Sequence, residues 1–358
     1  MKIALAILLA LAVPAHADDE LAGSTIIFVR GSSLYRADPK GKGEAEIGKL
    51  PAKTTVRALR TDAGGKMLLA DLGGSWSYLK LDGSTTELKP LPCADGPAQL
   101  AEDGLCVLCR NAKGGSIIYN LFTNKQYAVD VPPTGARLAK SGAQREIVWA
   151  DQGGVWVASP ATPKKATRVA PDAPKRGFLP SPDGSRALGV YPDEVFTDAH
   201  HKQAADVLMV FQLDGEGARR KVIKSGVPVE WSHDSQWVFV QDNASACLMK
   251  AAGGEYKCWR GYTAASVSPD GKFALVLGNR DGSKRQTPPN KKPPPKPSEA
   301  EEPDADPTAP ADVDVPPPTG PLALYRVRLE GSPYTEPPAL VTKVVDGAAV
   351  WVPAPAKP

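Results

Sequence analysis

Short apolar runs alternate with turn residues along most of this chain, and long helical patterns are hard to find. Met67-Leu68-Leu69-Ala70-Asp71 is followed by Trp76-Ser77-Tyr78-Leu79-Lys80-Leu81, then by Asp82-Gly83, and Thr86-Glu87-Leu88 begins the next run. The same sequence of elements returns as Val207-Leu208-Met209-Val210-Phe211-Gln212-Leu213, Asp214-Gly215 and Lys221-Val222-Ile223. Asp-Gly between strand-like runs signals a hairpin, because both residues tolerate a positive φ. The pattern predicts an all-β chain of antiparallel strands.

A second turn gives the chain its period. Ser181-Pro182-Asp183-Gly184 and Ser268-Pro269-Asp270-Gly271 share one spelling. Looser copies stand at Thr61-Asp62-Ala63-Gly64, Ala101-Glu102-Asp103-Gly104, Lys140-Ser141-Gly142 and Ser232-His233-Asp234-Ser235. Most successive copies lie roughly 35–40 residues apart, a spacing that marks a repeat architecture. Each unit reads as four strands, A to D, with this turn between A and B.

Strand C recurs seven times, at Leu34, Tyr78, Ile117, Val155, Leu208, Ala246 and Leu324, whereas the A–B turn recurs six times. The first unit begins at strand B, Thr25-Ile26-Ile27-Phe28-Val29. An unmatched strand, within Val345–Val352, follows the last strand D. The mismatch predicts a ring: a β-propeller, with seven four-stranded blades as the best count and six or eight as alternatives, in which the C-terminal strand completes the first blade and leaves no open edge there.

These turns resemble those of the TolB-type, WD-like propeller repeats, where Ser-Pro-Asp-Gly precedes strand B and Asp-Gly follows strand C. The resemblance covers residues 25–353 and the propeller portion only; the α/β domain that precedes the TolB propeller finds no room here. It implies a propeller fold and leaves function open.

The N-terminus reads as a secretory signal over 1–17. Lys2 precedes an apolar run, Ile3 to Val13, and Ala15-His16-Ala17 is a small-x-small cleavage site. The run is too short for a membrane span, which needs about twenty residues, and no Cys follows the cleavage site to carry a lipid. A soluble periplasmic or secreted protein is expected. Net charge is +3, with 43 basic and 40 acidic residues, which gives no nucleic-acid footprint. High Gly (33) and Pro (36) fit many tight turns.

An oxidising compartment permits disulfides among Cys93, Cys106, Cys109, Cys247 and Cys258. Cys247 and Cys258 flank Ala251-Ala252-Gly253-Gly254 and should face each other across a hairpin. Cys93 can pair with Cys106 or Cys109, leaving one over. Cys106-Val107-Leu108-Cys109 has redox spelling but sits in an expected strand, without the helix N-terminus that lowers a thiol pKa.

Two insertions interrupt the repeat. Thirteen of the 36 residues from Gln286 to Pro321 are Pro. The stretch starts basic, turns acidic from Glu299, and should be disordered or extended polyproline between strands B and C of the last blade. The second, Tyr191 to Asp206, holds Asp193, Glu194, Asp198, His200 and His201 and is expected to be a solvated loop rather than a metal site.

The chain carries no nucleophile elbow, P-loop, dinucleotide fingerprint or zincin motif. Only His200, His201 and His233 follow the signal, and His233, in the Pro position of a turn, is expected to be exposed. The seven Trp are expected to pack within the sheets. No cofactor, metal or catalytic residue is predicted. The sequence predicts a non-catalytic extracytoplasmic scaffold binding a protein of the cell envelope; the alternative is a propeller that binds or cleaves polysaccharide on its central face.

Overall fold

The computed structural model describes residues 23–132, 136–140, 144–196, 202–213, 220–223, 226–242, 245–253, 256–279, 322–328 and 337–354. They form seven four-stranded antiparallel sheets, each a blade. The innermost strands, blades 1 to 7 in order, are Ala349–Val352, Ala58–Thr61, Ala98–Leu100, Arg137–Ala139, Arg176–Pro180, Val227–Trp231 and Thr263–Val267. Blade 1 is closed by the chain's far end: Ile26 pairs with Trp351 and Ile27 with Val350. The ring predicted from six turns and seven hairpins is the one observed.

Stacking of blades explains why so many strands are continuous apolar runs. Strand B of blade 1 sends Ile26 and Phe28 toward blade 7, where they meet Leu275 and Leu324, with Trp351 of their own blade completing the cluster. Ile27 and Val29 point the other way, into Leu59, Leu68 and Leu79 of blade 2. A strand buried on both faces has no polar face to alternate with. Seven apolar clusters lie in the seven gaps between blades. All seven Trp are buried or half-buried.

The Ser-Pro-Asp-Gly turns are knitted by their own side chains. Ser268 is buried; its hydroxyl donates to Asp270 Oδ1 at 2.6 Å and accepts the Phe273 N–H at 2.9 Å. Gly271 closes the turn at φ +70°. Ser181 and Asp183 repeat the arrangement, with Gly184 at φ +71°. In blade 6 Ser232 and Asp234 do the same work, and Ser235 takes the glycine's place at φ +58°. In blade 2 the Asp62 carboxylate substitutes for the serine and accepts the N–H groups of Lys66 and Met67.

Three expectations change. Residues 191–196 and 202–206 are strands and not a loop: blade 5 has two 11-residue strands, Arg186–Phe196 and Lys202–Gln212, paired throughout. Strand D of blade 2 is Lys89–Pro90 and does not begin at Thr86. The intervening Glu87 instead makes an isolated parallel bridge to Lys49 on the outer strand of blade 1. His233 is not exposed, because its side chain meets Glu102 of blade 3. The leader at 1–17, Asp214-Gly215 and the segment 286–321 lie outside the described residues. The strands flanking that segment pair directly, Asn279 with Leu322, so it departs and returns at one point of blade 7.

Candidate functional site

The inner strands all run the same way along a central channel, so the disc has two unlike faces. One carries the A–B turns. The other carries the B–C connections, among them the blade 5 hairpin extension and the point where 280–321 joins blade 7.

The inner strands of blades 4, 7 and 1 are hydrogen-bonded on their free edges by neighbouring blades. Gln99 of blade 3 clamps Leu138 of blade 4, accepting its N–H at 2.7 Å and donating to its C=O at 3.0 Å. The Glu230 carboxylate accepts the Val267 N–H, and Gln241 accepts that of Ala264, both at 2.8 Å. Ser266 accepts the Trp351 N–H, and Thr61 donates to the Trp351 C=O. The closing strand is thus held from both sides. Polar side chains in these strands satisfy backbone groups that would otherwise be stranded.

At the A–B face the channel is bridged. Blades 3 and 6 lie nearly opposite in a seven-membered ring, yet His233 Nδ1 of blade 6 is 2.8 Å from Glu102 Oε2 of blade 3. The sequence placed His233 in solvent because its turn position is normally a surface proline. In the ring, that position points across the axis, and the side chain is only 20% exposed. Burial opposes its charged form, but the Glu102 hydrogen bond and the charges of Glu102, Glu230 and Asp62 outweigh burial. The His233 pKa is raised. Burial raises Glu230, against its hydrogen bonds from Val267 and Ser266 and the charges of His233 and Arg60.

At the B–C end the channel is basic. A cavity of about 210 Å³ runs along the axis from Arg57 and Gly347 to Glu102 and His233. It meets a second, of about 380 Å³, that opens beside Arg137, Lys175 and Arg176. Arg60 lines both. Protein surrounds Arg60 and Arg137, although their surfaces keep some contact with the channel. Burial lowers Arg60 against the attraction of Glu230 and Asp71. Burial, with the charge of Arg60 added, pushes Arg137 down to about 10. An arginine guanidinium stays protonated in proteins, so both are cations at neutral pH.

The residues singled out in the sequence lie elsewhere. The two Ser-Pro-Asp-Gly turns rim the A–B face and serve the fold, and Asp82-Gly83 is an exposed turn. Cys93 is bonded to Cys109, and Cys247 to Cys258. Cys106 is the buried leftover, its thiol pushed up to about 11 by burial, so it supplies no thiolate. Asp193 and Glu194 fall within the hairpin strands; Asp198, His200 and His201 lie outside the described residues. Among the described residues no cluster of His, Cys, Asp and Glu is arranged to hold a metal, and no helix is long and apolar enough to cross a membrane. Sequence reasoning missed Arg60, Arg137 and Glu230. The signal was present, a charged residue inside an otherwise apolar inner strand a few residues from the A–B turn, but nothing local says which of these meet.

No family model matches the sequence, and no curated protein is significantly similar to it. Among solved structures the chain is similar to one described as the crystal structure of the eukaryotic initiation factor. That match has 10% identity and a TM-score of 0.43, and covers 94% of this chain and 100% of the other. It is also similar to KlHsv2 with loop 6CD replaced by a Gly-Ser linker, at 9% identity and a TM-score of 0.41, over 64% of this chain and 76% of that one. At these values neither likeness bears on function.

Proposed function

We propose that the protein is an extracytoplasmic, non-catalytic binding scaffold of the TolB-like propeller type, delivered by a cleaved signal peptide, that recognises a protein partner of the cell envelope with its B–C face. The observation that carries this reading is the asymmetry of the disc. The A–B mouth is bridged by His233 and Glu102, whereas the opposite mouth is, among the described residues, open and basic, and both places where the repeat is elaborated join the blades on that side. Loops on a rigid scaffold are where such folds place recognition. Two disulfides fit an oxidising compartment.

The carbohydrate reading rests on exposed Trp beside convergent carboxylates. None of the seven Trp is exposed, and Glu102 and Glu230 are committed to His233 and to the Val267 N–H. Site-specific photo-crosslinking in envelope extract tests the proposal. A crosslinker at Lys113, on the B–C side of blade 3, should capture a defined protein, and one at Gln236, on the A–B side, should not. A parallel glycan array should be blank. Reproducible sugar binding without any protein adduct would overturn the reading.

A further inference from the structure

We infer that Arg60 and Arg137 form a clamp for an oxyanion, a carboxylate or phosphate group that enters the channel from the B–C face. Other cations at this mouth have carboxylate partners: Lys175 and Arg176 both contact Asp206, and Arg57 contacts Asp95. Arg60 makes no ion pair or hydrogen bond among the described residues. The one hydrogen bond of the Arg137 side chain there is to the adjacent Ala136 C=O at 2.9 Å, and its Nε is buried without a partner. Both side chains line the same 380 Å³ opening, and the charge of Arg60 disfavours the charged form of Arg137. Glu230 and Asp71 both attract Arg60, but among the described residues neither carboxylate is in hydrogen-bond or ion-pair contact with it.

Two like charges in a protein-walled channel, where attraction and repulsion are both stronger than in water, call for an anion between them. A guanidinium presents paired N–H donors that match the two oxygens of a carboxylate or phosphate. Space is available: Ala150, Pro174, Gly177 and Pro228 leave the 380 Å³ opening beside Arg137, against ~30 Å³ for one water. A small organic anion fits, and so does the acidic side chain or terminal carboxylate of a polypeptide. The site stands apart from the proposal of a protein partner, because a free anion would satisfy it equally.

Isothermal titration of the full-length protein at low salt tests this with three probes: inorganic phosphate, succinate, and a short peptide ending in Asp-Glu. The expected result is saturable binding of at least one probe. Binding should weaken about tenfold or more in R60Q and in R137Q, each of which removes charge-assisted hydrogen bonds. R176Q, which alters a rim residue already paired with Asp206, should change it less than about threefold. Binding of phosphate or succinate assigns a free anion as the source, and binding of the peptide alone assigns a polypeptide. Urea midpoints check the fold. If a glutamine variant does not fold, R60K and R137K keep the charge but lose the planar donor pair, and should still weaken binding. Absence of saturation by every probe up to roughly 10 mM, or unchanged binding in folded R60Q and R137Q, overturns the inference.

Discussion

Replacing Glu102 with Gln should destabilise the propeller, and the loss should depend on pH in a defined direction. The substitution keeps a hydrogen-bonding group of nearly the same shape but removes the charge facing His233. The two side chains are 25% and 20% exposed, so solvent screens the pair less than it would at the surface, where such pairs give about 0–1 kcal/mol. A hydrogen bond to a charged group in this setting contributes about 1.5–3 kcal/mol, which is the expected cost near pH 6. The raised His233 pKa fixes the sign. Its share of stability is fully present below the unfolded value, about 6.5, and is lost as the pH rises through the higher folded value. The stability gap between wild type and E102Q, from urea melts, should therefore be widest near pH 6 and should narrow by about pH 9. Histidine NMR reports the same titration directly, and the chain has only four His. A gap that is the same at both pH values, or a His233 that titrates at or below the ordinary imidazole value, would refute the bridge across the channel.

Trp351→Ala should cost about 3–5 kcal/mol, because a buried indole that stacks on Phe273 is lost from the strand that closes the ring; an unchanged denaturation midpoint would argue against closure by this strand. Removing the Cys247–Cys258 bond with a double serine variant should cost about 3 kcal/mol, the loop-entropy value for its sequence separation of 11, and a matched melting temperature would count against it. Gly271→Ala should be worse than Gly184→Ala. Both sit near φ +70°, but the new methyl would lie 2.2 Å from Trp237 Cδ1 at 271, and 2.9 Å from the flexible Lys140 side chain at 184. The first should cost about 2–5 kcal/mol and the second about 1–2 in thermal melts; equal losses would mean that Trp237 yields freely.

What could be read from the sequence is what is determined within a few residues. The Ser-Pro-Asp-Gly turn is legible because its hydrogen bonds, such as Ser268 to Asp270 and to the Phe273 N–H, span at most five positions. Blade stacking is legible because strands packed on both faces lose their polar alternation. From those two signals the ring closure followed. The hairpin at 191–206 failed the same test for a physical reason. Beyond Tyr191 the strand no longer pairs with the inner strand of its own blade, whose register ends at Val190. There, among the described residues, the strand pairs with the facing strand alone, so no inner strand imposes an apolar pattern on the sequence. The channel could not be read at all. His233 and Glu102 are 131 positions apart, and their meeting depends on a seven-membered ring placing blades 3 and 6 across the axis.

The same dependence explains why the two ends of the channel differ chemically. At the A–B face every inner strand ends in a turn that must satisfy its own backbone. Residues there are drawn into neighbouring turns: the Asp183 N–H donates to Ser235 Oγ at 3.2 Å, and Arg186 to the Ser235 C=O at 2.6 Å. Changing that rim costs fold stability, which leaves little freedom for recognition. At the B–C face the connections extend beyond the strand ladders of the blades. The chain has added residues there twice, and the channel that leads in from that face is lined by Arg60 and Arg137, which have no carboxylate contact among the described residues. Charge that no described carboxylate contacts calls for an anion to match it, which is what the proposed clamp would bind. The arginine variants and the Glu102 variant therefore separate the two ends: the first should change binding with little effect on melting, and the second the reverse.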